Sequence, residues 1–196
     1  VVVHKGKLTV ERSAFGFNDA RSGSAIFVDK SASAIISDTK FEFNQSWGRS
    51  AVQLDGLDTQ SVITRCRFEQ NKSTDNKDKF GKGPALMIKG YAGASVTLTR
   101  FVSNHAEYEV AALGVFAPGK AVTLDRLGFF DNKTPSYSGY TTASDVLVGP
   151  TVTEDAVVIT RSTFERTGEE GSSSSKGDVG ILNYGNLVVD GCYVGN

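Results

Sequence analysis

The chain has 196 residues, 39% of them hydrophobic, with 21 Lys+Arg against 22 Asp+Glu, a net charge of −1, 21 Gly and 2 Cys. That apolar fraction excludes a disordered chain, and the balanced charge gives no field for nucleic acid or an anionic membrane. No apolar run approaches the roughly 18 residues that a membrane helix needs, and no charged start leads from Val1 into an apolar signal segment.

Taken in chain order, three landmarks return. The first stretch offers Val1-Val2-Val3, then Leu8-Thr9-Val10, then the four-residue pattern Phe15–Asn18. The second offers Ala25-Ile26-Phe27-Val28, Ile35-Ile36 and Phe41–Asn44; the third, Ala51-Val52-Gln53-Leu54, Val62-Ile63 and Phe68–Asn71. The fourth has Ala85-Leu86-Met87-Ile88, Val96-Thr97-Leu98 and Phe101–Asn104, and the fifth Ala112-Leu113-Gly114-Val115, Val122-Thr123-Leu124 and Phe129–Asn132. Weaker copies follow: Asp145-Val146-Leu147-Val148, Val157-Val158-Ile159 and Phe164–Thr167, then Gly180-Ile181-Leu182, Leu187-Val188-Val189 and Tyr193–Asn196. The apolar runs are short and rich in β-branched residues, which predicts strands, and no long stretch has a helical period with caps.

The aromatic residues recur at intervals of 26, 27, 33, 28, 35 and 29. A unit of this length with two or three short strands cannot bury its own apolar face; stacked units can. The expected fold is therefore all-β: a right-handed parallel β-helix of about seven coils, one domain over 1–196. A β-sandwich of hairpins does not explain why the same residue returns at the same place in each unit. In this fold Phe15, Phe41, Phe68, Phe101, Phe129, Phe164 and Tyr193 form an internal stack. Asn18, Asn44, Asn71, Asn104, Asn132 and Asn196 form a ladder at a corner. The longer insertions, 72–83, 133–144 and 168–179, fall after the Asn corner and project from one edge of the rod.

Two outward columns carry chemistry. One residue past each first strand stand His4, Asp29, Asp55 and Lys89, then Phe116, Gly149 and Tyr184. Two carboxylates on adjacent rungs beside a His and a Lys are the candidate acid/base or Ca²⁺ site; the alternative is a solvated corner. The outward residues Phe27, Gln53, Met87, Gly114 and Leu147 predict an apolar stripe suited to contact with another surface. Before the aromatics stand Arg12, Asp38, Arg65, Arg126 and Arg161, with Arg100 nearby. These are either ion-paired with Glu11, Asp38 and Asp125 or form a groove for an anionic glycan. Cys66 and Cys192 fall three to five coils apart, too far for a disulfide. Asn44, Asn71 and Asn132 also begin glycosylation sequons, although an internal ladder Asn cannot carry a glycan. No zinc, phosphate-loop or dinucleotide spacing is present, so no cofactor is expected.

Aromatic-x-x-Asn combined with a small-Ala-aliphatic motif, as in Gly23-Ser24-Ala25-Ile26, Arg49-Ser50-Ala51-Val52 and Lys82-Gly83-Pro84-Ala85-Leu86, resembles the repeats of the chlamydial polymorphic outer-membrane proteins. Those carry Phe-x-x-Asn and Gly-Gly-Ala-Ile/Leu/Val; Gly-Gly-Ala is missing here. The resemblance implies a pectin-lyase-like rod at a cell surface or in the extracellular space, for adhesion or coat structure. With neither end capped by a helix or polar strand, the expected partners are other copies, or neighbouring segments of the same rod, joined through open coil ends into a filament. The alternative expectation is a β-helix that binds or cleaves polysaccharide through His4, Asp29, Asp55 and Lys89. Glycans are a candidate partner in either case. Nucleic acid and a membrane span are not expected.

Overall fold

A computed structural model describes residues 1–20, 24–47, 50–55, 60–74, 83–90, 93–107, 110–116, 120–134, 142–150, 157–165 and 178–195. Most of each predicted insertion, together with Thr167 and Asn196, lies outside these residues. Every strand pairing among the described residues is parallel, and the chain coils as an all-β solenoid.

Four ladders run along the coil axis. Ladder A contains residues 26–28, Val52–Leu54, Leu86–Lys89, Leu113–Phe116, 146–148 and 181–183, with Ile26, Val52, Leu86, Leu113, Val146 and Ile181 in one register. Ladder B contains 31–37, Ser61–Thr64, Ala94–Thr97, Val122–Asp125, Val157–Thr160 and Leu187–Asp190. The strands Val2–Glu11 and Ile26–Ser37 pass through A and B without a break, which joins both into one 12-stranded sheet. Ladder C is a 7-stranded sheet running from Ala14–Gly16 through Lys40–Glu42, Arg67–Glu69, Arg100–Val102, Gly128–Phe130 and Thr163–Glu165 to Tyr193–Gly195. Ladder D is shorter: Asp19–Ala20, Gln45–Trp47, Lys72–Thr74 and His105–Ala106. The sequence showed no sign of ladder D, because its two- and three-residue strands carry no apolar alternation.

Ladder B alternates buried and half-buried residues in the middle coils, as a strand with one face on the core must. Inside ladder C, Phe15, Phe41, Phe68, Phe101, Phe129 and Phe164 stack with ring centroids 4.8–5.2 Å apart and planes within 13° of parallel. That separation is the spacing between parallel strands, so the backbone lattice sets the ring geometry. Each fully buried Phe contributes about 1.5–3 kcal/mol by leaving water and roughly 0.5–1.5 kcal/mol more from its ring neighbours.

The stack ends differently from the sequence expectation. Tyr193 pairs with Thr163, and Val194 takes the place below Phe164. The aromatic in the last coil therefore belongs to the outward column. Its ring lies over Gly195, where an added Cβ would meet the Tyr193 Oη at 2.5 Å. Gly128 and Gly114 are covered in the same way by Phe130 and Phe116, two residues along the same strand face.

The corners depend on left-handed residues. Arg12, Asp38, Arg65, Leu98, Arg126, Arg161 and Gly191, all with φ between 46° and 59°, turn the chain from ladder B to ladder C. Phe17, Phe43, Gln70, Ser103 and Asp131, with φ between 50° and 58°, turn it from ladder C to the Asn corner. An L-residue there costs about 1–2 kcal/mol, which packing on both sides must offset. The residue after each first corner points inward: Ser13, Thr39, Cys66, Thr99, Ser162 and Cys192 each donate a hydrogen bond to the carbonyl two residues back, at 2.7–3.5 Å. Leu127 breaks the column and instead donates its backbone N–H to Ser162 Oγ at 3.1 Å.

Candidate functional site

The Asn corner is structural. Asn44, Asn71, Asn104 and Asn132 are buried, and each Oδ1 accepts both the backbone N–H and the Nδ2 of the Asn one coil earlier, at 2.7–3.2 Å. Each of these four Nδ2 groups also donates to the carbonyl of the Phe one coil back: Phe15, Phe41, Phe68 and Phe101. At Asn132 the second proton goes to Asp145 Oδ1 at 3.0 Å. The glycosylation expectation at Asn44, Asn71 and Asn132 is thereby overturned: the nitrogen that a glycan would occupy is sealed in the core with both protons used.

The apolar stripe expected on the outside of ladder A is likewise corrected. Gln53, Met87, Gly114 and Leu147 are buried. Leu147 joins Val110 and Ala143 in a second apolar cluster with Phe116 and Leu182 packed against it. Pro84 and the Phe116 ring cover Gly114. This face is therefore closed by the protein itself.

The column past ladder A is assembled as expected in position. His4 Nδ1 lies 3.1 Å from Asp29 Oδ2. Asp55 donates its backbone N–H to Val28 at 2.8 Å, which puts it on the rung beside Asp29, and Lys89 follows on the next. Gln53 Nε2 holds Asp55 Oδ2 at 3.0 Å. The His4 side chain is 72% exposed, so water competes for its contact with Asp29. Among the described residues no group of three or more His, Cys, Asp or Glu is placed to hold a metal ion.

The arginine column faces a real concavity. A shallow groove of about 730 Å³ runs along the corner between ladders B and C. One wall is the left-handed column of Arg12, Asp38, Arg65 and Leu98; the other is the first residue of each ladder C strand, Ala14, Lys40, Arg67 and Arg100. Arg65 forks onto Asp38 with two bonds of 2.7 Å, and that hydrogen-bonded guanidinium holds the Asp38 carboxyl below its ordinary range. Lys40 bridges Glu42 at 2.6 Å and Glu69 at 3.3 Å, and the Glu42 hydrogen bond raises its pKa. Arg67 forks onto Glu69 at 2.9 Å and lowers that carboxyl. Further along, Arg161 forks onto Asp125 at 2.7–2.8 Å, with Thr160 donating to the same carboxylate, and Asp125 is lowered accordingly. Asp38 and Asp125 thus serve as the expected partners. Arg12 and Arg100 have no ion-pair partner among the described residues.

The second wall was not read from the sequence, although a signal existed: the residue before each aromatic is Lys40, Arg67 and Arg100 in three consecutive coils. Cys66 and Cys192 are both free and stand four rungs apart in one inward column. Burial pushes the Cys66 thiol up to about 11.

Fold and corner geometry together define a parallel β-solenoid with an internal Phe stack, an Asn ladder and one basic groove. Comparison with protein-family models, curated proteins and solved structures finds no match to this chain.

Proposed function

We propose that this chain is a non-catalytic structural or adhesive rod of an extracellular or cell-surface assembly, one that stacks end to end. The supporting observation is the exposed apolar surface on the last rung. Val189 and Val194 stand in register with Ile159 and Phe164, which are buried, yet they are themselves 47% and 76% exposed. A rung of this kind is completed by a further coil, supplied by a neighbouring segment of the same rod or by another copy; in the second case a parallel coil edge matches a like edge in the same direction, which generates a filament. The cell-surface setting draws on the resemblance to the repeats of the chlamydial polymorphic outer-membrane proteins. Sedimentation and negative-stain electron microscopy across a concentration series test the reading. Fibres or end-to-end oligomers that Val189→Asp/Val194→Asp abolishes support it. A monomer at every concentration overturns the stacking.

A second reading, a polysaccharide-binding or -cleaving β-helix, draws on the His4–Asp29 contact with Asp55 and Lys89 on the following rungs. Depolymerisation of pectin, alginate or glycosaminoglycan that is lost in Asp29→Ala or Asp55→Ala would favour it over the rod.

A further inference from the structure

We propose that the groove between ladders B and C is a binding site for an extended anionic polysaccharide, with Arg12 and Arg100 taking its sulfate or carboxylate groups at the two ends. This goes beyond the rod reading and does not depend on it.

The lining carries five cations, Arg12, Lys40, Arg65, Arg67 and Arg100, against one lining carboxylate, Asp38. Three of the cations are already committed: Arg65 to Asp38, Lys40 to Glu42 and Glu69, and Arg67 to Glu69. Asp38 and Glu69 are both held below their ordinary range, so these pairs stay ionised through the neutral range and fix their cations in place. Arg12 and Arg100 are exposed and have no ion-pair partner among the described residues. A guanidinium presents a fork of donors that matches a carboxylate or a sulfate, and two free forks in one groove are unused recognition capacity.

Their positions specify the ligand's shape. Arg12 belongs to the first coil and Arg100 to the fourth, three rungs apart, or about 14 Å along the axis at the parallel-strand spacing. One small anion cannot reach both. A linear polymer with anionic groups along its length can, and the straight corner gives it a straight bed. A single-stranded nucleic acid has the charge but would look for aromatic faces to stack its bases on, and no aromatic side chain lines the groove. The exposed rings Phe17, Phe43 and Trp47 lie beyond the groove's lining residues. The chain's net charge of −1 leaves no long-range attraction for a generic polyanion.

The test is calorimetric titration of the full chain with a heparin-derived octasaccharide, a polygalacturonate oligomer of the same length, a heparin disaccharide, neutral dextran and a thymidine oligonucleotide. The expected result is binding of one or both anionic oligomers, weakening as salt rises. The disaccharide should bind at least tenfold more weakly, and dextran not at all. Arg12→Ala and Arg100→Ala should each weaken binding about tenfold, and the double variant about a hundredfold. Lys72→Ala, an exposed cation on ladder D outside the groove lining, should leave it unchanged. Which oligomer binds distinguishes sulfate from carboxylate. The proposal is overturned if neither oligomer binds, if the double variant keeps full affinity with a native circular dichroism spectrum, if the disaccharide matches the octasaccharide, or if the oligonucleotide binds as tightly as the saccharide.

Discussion

Replacing Asn71 with alanine tests whether the corner ladder holds the solenoid together. In the native chain Asn71 Oδ1 accepts two hydrogen bonds from Asn44, at 3.1 and 2.9 Å, and Nδ2 donates two, to Phe41 and Asn104, both at 3.0 Å. The three bonds other than the one from the Asn44 backbone N–H, at about 0.5–1.5 kcal/mol net each, account for roughly 1.5–4.5 kcal/mol. The buried Asn44 backbone N–H is also stranded, which adds about 1–3 kcal/mol. The total is comparable with the whole stability of an ordinary domain, about 5–15 kcal/mol. Asn18→Ala at the end of the ladder is the internal control. There Nδ2 makes two bonds, the one to Gly16 exposed at 3.3 Å, while the Asn18 backbone N–H keeps its acceptor on Asn44. Its cost should be about 1 kcal/mol. Urea unfolding of both variants, with hydrogen exchange at the Asn44 amide, provides the measurement. Asn71→Ala should unfold at much lower urea or fail to fold, and if it folds, its Asn44 amide should exchange far faster. Costs within about 1 kcal/mol of each other, with the Asn44 amide still protected, would refute the ladder as the source of corner stability.

Three further outcomes are expected. Asp38, Glu69 and Asp125 have native pKa values below their ordinary 3.8, 4.5 and 3.8. Their contribution is therefore present above those ordinary values and is lost as pH falls through the depressed native ones. The urea midpoint should drop on acidification below about pH 4.5, and Arg65→Ala should return the Asp38 carboxyl towards its ordinary value in an NMR titration. With Cys66 raised to about 11 by burial, a thiol reagent at pH 8 should find at most one reactive thiol per native chain and two after denaturation; fast labelling of Cys66 in the native state would contradict the burial. At the corners, Gly191→Ala should cost about 1–2 kcal/mol, because φ is +59° and a Cβ there meets nothing closer than 3.9 Å, so the penalty is purely conformational. Leu98→Gly, at φ 52° and on the surface, should be neutral or should stabilise by up to about 1 kcal/mol in the same urea assay.

The interior of the solenoid was largely legible in the sequence because a stacked position has one solution repeated at every rung. Phe41, Phe68, Phe101 and Phe129 meet the same neighbours above and below, so the same ring serves each time. The one misplacement, Tyr193, came from trusting the aromatic alone. The inward hydroxyl or thiol two residues before the stack position, Ser13, Thr39, Cys66, Thr99 and Ser162, continues at Cys192 and points to Val194. Two coupled columns fix the register that one column left off by a residue. Ladder D and the buried outside of ladder A were not legible for a different reason. Ladder D buries only small residues, Ser46, Ser73 and Ala106, so no apolar period marks it. On the outside of ladder A, Leu147 is covered by Val110, Phe116 and Leu182 from other coils, and no local pattern announces a cover.

That contrast also explains why the groove emerges only once the coils are aligned. A structural column keeps its residue type over the length of the rod because the lattice demands it. An outward column is free to drift, and most do: the first position of ladder C reads Ala14, Lys40, Arg67, Arg100, Gly128, Thr163 and Tyr193. Within it the cations occupy three consecutive rungs and stop at Gly128, where the Phe130 ring covers the position. Packing does not require that run. Stacked like charges repel, and here Glu42 and Glu69 are needed to hold Lys40 and Arg67 side by side. Arg100, on the third rung, has no such compensation. A basic segment of limited length, next to a left-handed arginine that forms no salt bridge among the described residues, is what the proposed binding of an anionic polymer at this corner would use.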